Sequence, residues 1–412
     1  MSEFGWIDFS STDRERVSQL LSMLAEPGTL DELGIGQIRD AFSDSLFAGF
    51  STIQTRASYL ISVPQIFQDY FLLKPKERAR IDLETYLKQE ENSLAERLIT
   101  NHQGQDSEEL GIIGRTLVSK GGAARRPSSI YWNGLRQLGL IRTTQSLAEF
   151  CRDAQKWDTN TLADGMHEEG DDNADLARRR NKLCVGPNYT PDWKQRASVH
   201  LSKAEALFLQ NQIRHASAIR NTVPAQLIEH DLLPTAVGPD FGTFAQLSSW
   251  LAQESRVSEE CKSALSLAQE FSQVMEGAQI RLDSLIADRL KDEALVESCH
   301  RTYEAWQEQA FSQSLFRHDA PENWLAFLPV NVRLRGSSKR FIRTWNENML
   351  KNAPAAALDD LVRTQALDNK KGRSILKRTL DSHTYKPGNH ALQYRWFQAK
   401  RILNDIQAGL AC

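Results

Sequence analysis

Apolar residues recur at intervals of three and four along much of the chain, which is the period of an α-helix rather than of a strand. The clearest run lies within residues 240–320, which contain no proline. Its apolar positions are Leu267, Phe271, Val274, Ala278, Leu282 and Leu285. A second amphipathic segment, 294–315, carries Tyr303, Trp306 and Ala310. Together the two segments predict a long helical hairpin or bundle.

Helix-start signals favour the same fold class. Capping boxes, in which Ser or Thr precedes Glu by three residues, begin at Thr12, Thr29 and Ser202. Pro75 occupies a favourable first position for a charged helix that reaches about Ile99. Residues 55–73 predict another helix, kinked or split at Pro64. The sequence therefore predicts a mainly α, multi-helical protein.

One segment near the middle of the N-terminal half, 110–148, has no acidic residue. Its six basic residues are Arg115, Lys120, Arg125, Arg126, Arg136 and Arg142. A helix over 128–138 is followed by Gly139, two apolar residues and a basic one, the order found where a winged helix meets its wing. A plain helix and turn packed on a core has the same order, so the segment predicts either a small winged-helix-like element or a structural turn.

Changes in composition divide the chain into four segments. The best linker candidate is the acidic, glycine-containing run 164–175, which three consecutive arginines follow closely. The predicted segments are 1–160, an N-terminal helical domain with the basic segment 110–148; 161–195, an acidic and basic linker or loop; 196–330, a helical bundle; and 331–412, a basic C-terminal helical region.

Composition places the chain among ordinary globular proteins, with 41% hydrophobic and 25% charged residues. The five cysteines are scattered and form no C-x-x-C pair, which is typical of a reducing compartment. The N-terminal residues lack the basic and apolar regions of a secretory leader, and no apolar run approaches the roughly 20 residues of a membrane span. We expect a cytoplasmic protein that does not contact a membrane.

The net charge of −3 is unevenly distributed along the chain. Residues 331–412 hold 16 Lys and Arg against 6 Asp and Glu, whereas the preceding residues hold 34 against 47. This asymmetry predicts either an anionic partner such as nucleic acid or attraction between the two parts of the chain. The predicted nucleic-acid-binding residues are Arg115, Lys120, Arg125, Arg126, Arg136, Lys339, Arg340, Arg343, Lys377 and Arg378.

Aromatic residues accompany the last basic segment. Tyr394, Trp396 and Phe397 lie in a predicted helix over 392–410, beside Arg395, Lys400 and Arg401. Exposed aromatic rings would stack on unpaired bases. Aromatic residues at helical spacing also form cores, and the sequence leaves both interpretations open.

Motifs for catalysis are absent from the sequence. It contains no phosphate-binding G-x-x-x-x-G-K-[ST] loop and no G-x-S-x-G elbow, and adjacent Cys299 and His300 would point in different directions on a helix. The nearest set for a metal-dependent nuclease is Asp82, Glu84 and Lys88, whose helical spacing favours surface ion pairs. The acidic run around His167 favours a solvated loop over a cation site. We therefore predict no catalytic residue, metal site or cofactor.

Several stretches resemble a bacterial family of uncharacterised proteins, classed as a domain of unknown function. They are FGWIDFS at 4–10, GIGQIRDAFSDSLF at 34–47, STIQTRA at 51–57, PSSIYWNGL at 127–135, YRW at 394–396 and AKRIL at 399–403. The resemblance spans nearly the whole chain. It implies a nucleic-acid context, because such proteins are encoded in mobile or phage-defence gene neighbourhoods, sometimes near helicases and phospholipase-D-like nucleases. It carries over no catalytic residue.

These observations predict an accessory, non-catalytic protein of a bacterial anti-phage defence or DNA-processing system. Its partner would be nucleic acid, DNA rather than RNA, or a nucleic-acid-processing protein. Two alternatives stay open, namely a helical protein–protein adaptor or scaffold and an unrecognised metal-dependent nuclease.

Overall fold

The computed structural model describes residues 31–105, 109–117, 122–123, 125–154, 183–329, 332–378, 385, 387–388 and 390–412. These residues form sixteen α-helices and several short 3₁₀ helices, and their only β-pairing is one isolated bridge between Ile141 and Leu183. The mainly α, multi-helical prediction is therefore confirmed. The capping box at Thr12, the acidic run 164–175 and Lys120 lie outside the described residues.

The described helices vary widely in length. In chain order they are α1 Gly36–Leu46, α2 Tyr59–Leu72, α3 Pro75–Arg78, α4 Leu83–Asn101, α5 Pro127–Gln137, α6 Leu147–Ala154, α7 Lys203–His215, α8 Val223–Glu229, α9 Leu233–Ala236, α10 Phe244–Gln253, α11 Glu259–Leu290, α12 Glu293–Ser312, α13 Ala320–Ala326, α14 Gly336–Leu350, α15 Ala355–Lys370 and α16 Trp396–Ala411. The longest, α11, has 32 residues and contains the predicted apolar run.

The described chain divides into two compact units, each assembled from segments that are distant in sequence. Unit 1 comprises the described residues up to Phe42 and those of Ala264–Leu392, and unit 2 comprises those of Ser43–Ser263 and Gln393–Cys412. Two of the three divisions fall inside α1 and α11, and the third lies between Leu392 and Gln393. The four consecutive segments expected from composition stay a prediction.

Unit 1 contains the predicted helical hairpin. Helices α11 and α12 are joined by a two-residue turn in which Lys291 adopts a left-handed conformation with φ of +56°. The Asp292 side chain then caps α12 by accepting a hydrogen bond from the backbone N–H of Leu295 at 3.0 Å. The hairpin is closed by the indole of Trp306, which packs directly over Gly277 of α11.

Three tryptophans, one each from α12, α13 and α14, donate their indole N–H groups to one stretch of α11. The pairs are Trp306 to the Gln273 carbonyl at 2.8 Å, Trp324 to Glu270 Oε1 at 3.1 Å and Trp345 to the Val274 carbonyl at 3.0 Å. Because each carbonyl oxygen has two lone pairs, α11 accepts these bonds without giving up its own helical bonds. This stretch of α11 thereby anchors the three following helices of unit 1.

Unit 2 is built around α2, whose residues are nearly all buried. The Arg56 guanidinium, just before α2, pairs with the Asp405 carboxylate of α16 through contacts of 2.8 and 3.0 Å. Asp405 also accepts a hydrogen bond from the backbone N–H of Ala57 at 2.9 Å. A bidentate, largely buried pair of this kind joins residues about 350 positions apart and fixes the last helix in unit 2.

The structure changes two of the predicted helix boundaries. The helix expected from Pro75 to about Ile99 is divided, because Asp82 caps a new helix, α4, by accepting the Thr85 N–H at 2.8 Å. Pro64 lies inside α2, which continues through it. The predicted box at Ser202 is confirmed, since its hydroxyl and the Glu205 carboxylate satisfy each other's backbone N–H groups at the start of α7.

The contact between Gly277 and Trp306 predicts an unusual stability effect. A glycine-to-alanine change inside a helix ordinarily adds about 1 kcal/mol to stability. In Gly277→Ala the new methyl group would overlap the Trp306 ring, so we expect the free energy of unfolding to fall by about 1–3 kcal/mol in urea denaturation.

Gly372→Ala is the control for this variant, because no atom of the described residues lies within 4 Å of its added Cβ. We expect its unfolding midpoint to stay close to that of the parent. An increase in stability for Gly277→Ala would show that Trp306 does not pack on this glycine.

Candidate nucleic-acid interface

The start of α14 and the end of α15 meet in unit 1 and bring several basic residues together. Arg335, which precedes α14, donates from Nη1 to the Asn369 carbonyl at 3.3 Å and to Asn369 Oδ1 at 3.2 Å. Helix α15 ends one residue later, and a 3₁₀ turn with two more exposed cations follows. We call this group the basic corner; its members are Arg335, Arg340, Lys370, Lys371 and Arg373.

The backbone segment before α1 lies between these two helix ends. Asn369 Nδ2 donates to the carbonyls of Asp31 and Glu32, at 2.5 and 3.1 Å, and Gln365 Nε2 donates to Leu33 at 2.7 Å. Gly34 has a φ of +69°, which favours glycine. An added Cβ there would come within 2.6 Å of a side-chain oxygen of α14, so the segment fits only with glycine at this position.

A buried carboxylate lies beneath the basic corner. Glu32 is 4% exposed and accepts a hydrogen bond from the Ser374 hydroxyl at 3.1 Å. Burial raises the pKa of Glu32, while hydrogen bonding and the positive charges of Lys370 and Arg378 oppose that rise. Both cations therefore act on this carboxylate through their charge, and the Arg378 side chain is exposed.

Beside the basic corner, α11, α15 and the segment after α15 surround an open groove of about 450 Å³. Its lining residues are Leu285, Asp288, Arg289, Arg363, Leu367, Leu376 and Lys377. Arg289 is held in place because its Nη1 donates to the Ile375 carbonyl at 2.9 Å. We call this the basic groove, since three cations and one acid surround its leucines. Such a combination suits a phosphate attached to an apolar or sugar-like group.

The three predicted residues of α14, Lys339, Arg340 and Arg343, have different surroundings. The Arg343 guanidinium donates two hydrogen bonds to the Glu322 carboxylate, at 2.6 and 2.9 Å. These bonds, with the charges of Arg343 and Lys339, hold the pKa of Glu322 below its usual value. Arg340 is exposed and folds back toward Gly336 at the helix start. Of the three, Arg340 is the exposed one that no ion pair joins to another described residue.

The comparison with known families gives one result. A family model described as a Family of unknown function (DUF6361) matches residues 1–409. The chain belongs to this family. No curated protein and no solved structure matches it. Membership of DUF6361 assigns no activity to this DUF6361 protein.

The described basic residues of 110–148 lie in unit 2, where two of them donate hydrogen bonds to backbone carbonyls. Arg126 Nη1 donates to the Lys88 carbonyl and to Asn92 Oδ1, both at 3.3 Å, and Arg136 Nε donates to the Thr143 carbonyl at 3.0 Å. Other members differ in exposure: Arg125 and Arg142 are exposed, and Arg115 is half-buried. The described part of this segment is a helix, a left-handed turn at Gly139 and one isolated bridge.

The aromatic residues near the C-terminus belong mainly to the core of unit 2. Tyr394 and Trp396 are buried, and the Trp396 indole donates to the Phe241 carbonyl at 2.9 Å. Phe397 is half-buried. Buried rings cannot stack on bases, so the core interpretation applies to the first two residues.

Candidate catalytic groups take structural roles in the described residues. Asp82 caps α4, and hydrogen bonds from the Thr85 N–H and hydroxyl lower its pKa. Burial raises the pKa of the Cys299 thiol to about 11, which disfavours the reactive thiolate. Across the described part of the chain, no three His, Cys, Asp or Glu side chains are grouped as metal ligands, and no helix is long and apolar enough to cross a membrane.

Sequence reasoning missed Arg289 and Arg363 of the basic groove. Each lies in a helix whose apolar period dominates the pattern, and neither belongs to a run of basic residues. Only the folding of α11 against α15 brings them near Lys377. No local signal in the sequence could have identified them.

Glu91 of α4 is a buried carboxyl that contacts the start of α5. It is 3% exposed and accepts a hydrogen bond from the backbone N–H of Ser128 at the start of α5. Burial raises its pKa to about 7, although Ser128 and the charge of Arg126 act in the opposite direction. Folding therefore favours the protonated carboxyl.

We predict that Glu91→Gln flattens the pH dependence of stability. Between about pH 4.5 and 7 the native protein binds more protons at this site than the unfolded chain, so the ionised carboxylate destabilises the fold as the pH rises. The ionisation of Glu91 lowers the free energy of unfolding by up to about 3 kcal/mol by pH 8. Urea denaturation from pH 5 to 8 measures the slope, with Glu96→Gln as the exposed control on the same helix. Parallel slopes for Glu91→Gln and the parent would contradict this account.

Proposed function

We propose that this DUF6361 protein is a non-catalytic, cytoplasmic, nucleic-acid-associated protein of a bacterial anti-phage defence or DNA-processing system. In this proposal the basic corner and basic groove of unit 1 bind phosphates, with DNA favoured over RNA. The observation that carries it is the convergence of cations from α11, α14 and α15 on adjoining surfaces. The defence context rests on the family resemblance noted from the sequence.

Three cations of this surface have charge available for a ligand. Lys371, Arg373 and Lys377 are exposed, and no ion pair joins them to another residue of the described ranges. By contrast, other exposed arginines of unit 1 already face carboxylates, as Arg343 faces Glu322. Unpaired cations release bound counterions when they meet phosphates, which supplies salt-dependent affinity.

The form of the surface favours contact with the nucleic-acid backbone rather than with base edges. Lysine and arginine at helix ends can reach phosphates without entering a groove of the duplex. The exposed aromatic platform that single-strand binding uses is not supplied by Tyr394 and Trp396, which are buried. We therefore expect binding with little dependence on base sequence.

Fluorescence anisotropy with duplex DNA, single-stranded DNA and RNA tests the proposal across a salt series. We expect duplex DNA to bind the full chain, with an affinity that falls steeply as salt increases. In K371E/R373E/K377E three phosphate contacts are reversed, so affinity at low salt falls by at least about tenfold and the logarithmic salt slope falls by about 2–3.

The matched control is Arg301→Glu, which reverses an exposed cation of α12 already placed near Glu297. We expect it to bind nearly as the parent does. If the triple variant and Arg301→Glu lost the same DNA affinity, the loss would reflect the overall charge of the protein rather than this surface. Absence of binding at low salt would overturn the proposal, and a cellular partner retained after nuclease treatment would then favour the protein-adaptor alternative.

A further inference from the structure

Unit 2 contains a cleft of about 520 Å³ between α2, α4 and the segment that leads into α7. This volume is within the range of sites that hold small organic ligands. Its floor is one face of α2, since Ser58, Ser62 and Gln65 are spaced four and three residues apart. The cleft is separate from the basic corner and groove, which belong to unit 1.

The polar side chains of this floor are buried but have no partners within the described chain. Ser58, Ser62 and Gln65 are 7%, 8% and 3% exposed, and no described residue forms a hydrogen bond with their side chains. Ser58 even occupies the N-cap position of α2 without capping it. Buried amides and hydroxyls are normally hydrogen-bonded, so three on one face point to a ligand that satisfies them.

Apolar side chains form the walls above this floor. The apolar lining residues are Ile61, Leu94, Leu98, Pro187, Trp193, Ala197 and Leu201. The loop at Gly186 approaches α2 so closely that an added Cβ would lie 3.1 Å from Ile61 Cγ2. A flat, largely apolar body would fit between such walls while its polar edge faces the floor.

At the rim, by contrast, most polar groups already bind one another. Asn188 Nδ2 donates to Ser202 Oγ at 2.6 Å, and Arg196 Nη2 donates to Thr190 Oγ1 at 2.7 Å. The Glu205 carboxylate is engaged at the start of α7 by the Ser202 N–H and hydroxyl. The unused hydrogen-bonding capacity is therefore concentrated on the floor.

The balance of charge favours a neutral ligand. Arg196 faces Asp192 at 3.3 Å, and Glu205 is the acidic group of the lining. Burial, with the nearby Arg56 and His102, lowers the pKa of His200, which favours its uncharged form at neutral pH. The floor itself carries no charged group that could hold a phosphate.

We propose that this cleft binds an uncharged, adenine-bearing ligand of nucleoside size. The Gln65 amide offers one donor and one acceptor, the pair that matches the N6 amino group and N7 of adenine. Ser58 and Ser62 supply hydroxyls for the ribose, and the apolar walls enclose the ring. The ligand site goes beyond the proposed nucleic-acid function and depends on different residues.

Isothermal titration calorimetry of the full chain with adenosine tests this site. We expect saturable binding at a single site. Inosine, whose O6 accepts where adenosine donates, binds at least about tenfold more weakly. AMP also binds more weakly, because its phosphate would find no free cation on the floor.

The decisive variant is Gln65→Met, which keeps the size of the side chain and removes its amide. We expect at least a tenfold loss of adenosine affinity. Gln68→Met is the matched control, since Gln68 is a buried glutamine of the same helix that does not line the cleft. We expect unchanged affinity there, with thermal unfolding confirming that both variants fold.

Three outcomes would overturn the assignment. The first is no heat of binding with adenosine at millimolar concentration. The second is equal affinity of the parent and Gln65→Met. The third is AMP or ATP binding more tightly than adenosine, since that would require a phosphate site that the floor does not provide. DNA binding by unit 1 is measured separately, so either proposal can fail alone.

Discussion

The convergence of three indole N–H groups on α11 is the interaction on which unit 1 depends. Trp306, Trp324 and Trp345 come from consecutive helices, yet all donate to the stretch between Glu270 and Val274. A buried indole brings a large apolar area and one donor that must be satisfied, so each ring has few permitted positions. Fixing Trp345 in turn fixes α14, whose first turn meets the end of α15 and forms the basic corner. The exposed charge thus depends on a buried arrangement about three helical turns away.

In unit 2 an ion pair, rather than indole hydrogen bonds, joins the two parts of the chain. Arg56 and Asp405 are both largely buried, and their bidentate pair closes the unit around α2. Removing one partner of such a pair leaves an uncompensated charge, which is far more costly than replacing both. The C-terminal helix α16 is therefore part of the unit that contains 110–148, although composition groups it with the basic end of the chain.

The sequence predicted the features that depend on local pattern. The period around Leu267–Leu285 identified the long helix, and Ser202 identified the start of α7. The break before α4 was missed because a single cap at Asp82 outweighed a continuous amphipathic pattern. Roles that depend on distant partners were beyond local reasoning. Arg126 and Arg136 looked like the other arginines of their segment, and only the folded chain brings each of them to a backbone carbonyl acceptor.

Buried and exposed polar groups make different kinds of binding possible in this protein. Exposed cations such as Lys371 and Lys377 attract any polyanion, and salt weakens that attraction, so they confer affinity with little selectivity. A buried amide such as that of Gln65 has the opposite character, because an ill-matched ligand would displace water from it and leave it unsatisfied. In the proposed ligand site, selectivity therefore depends on the face of α2. In the proposed function, attachment to a nucleic-acid backbone depends on helix ends whose side chains stay solvated until phosphates replace the water and counterions around them.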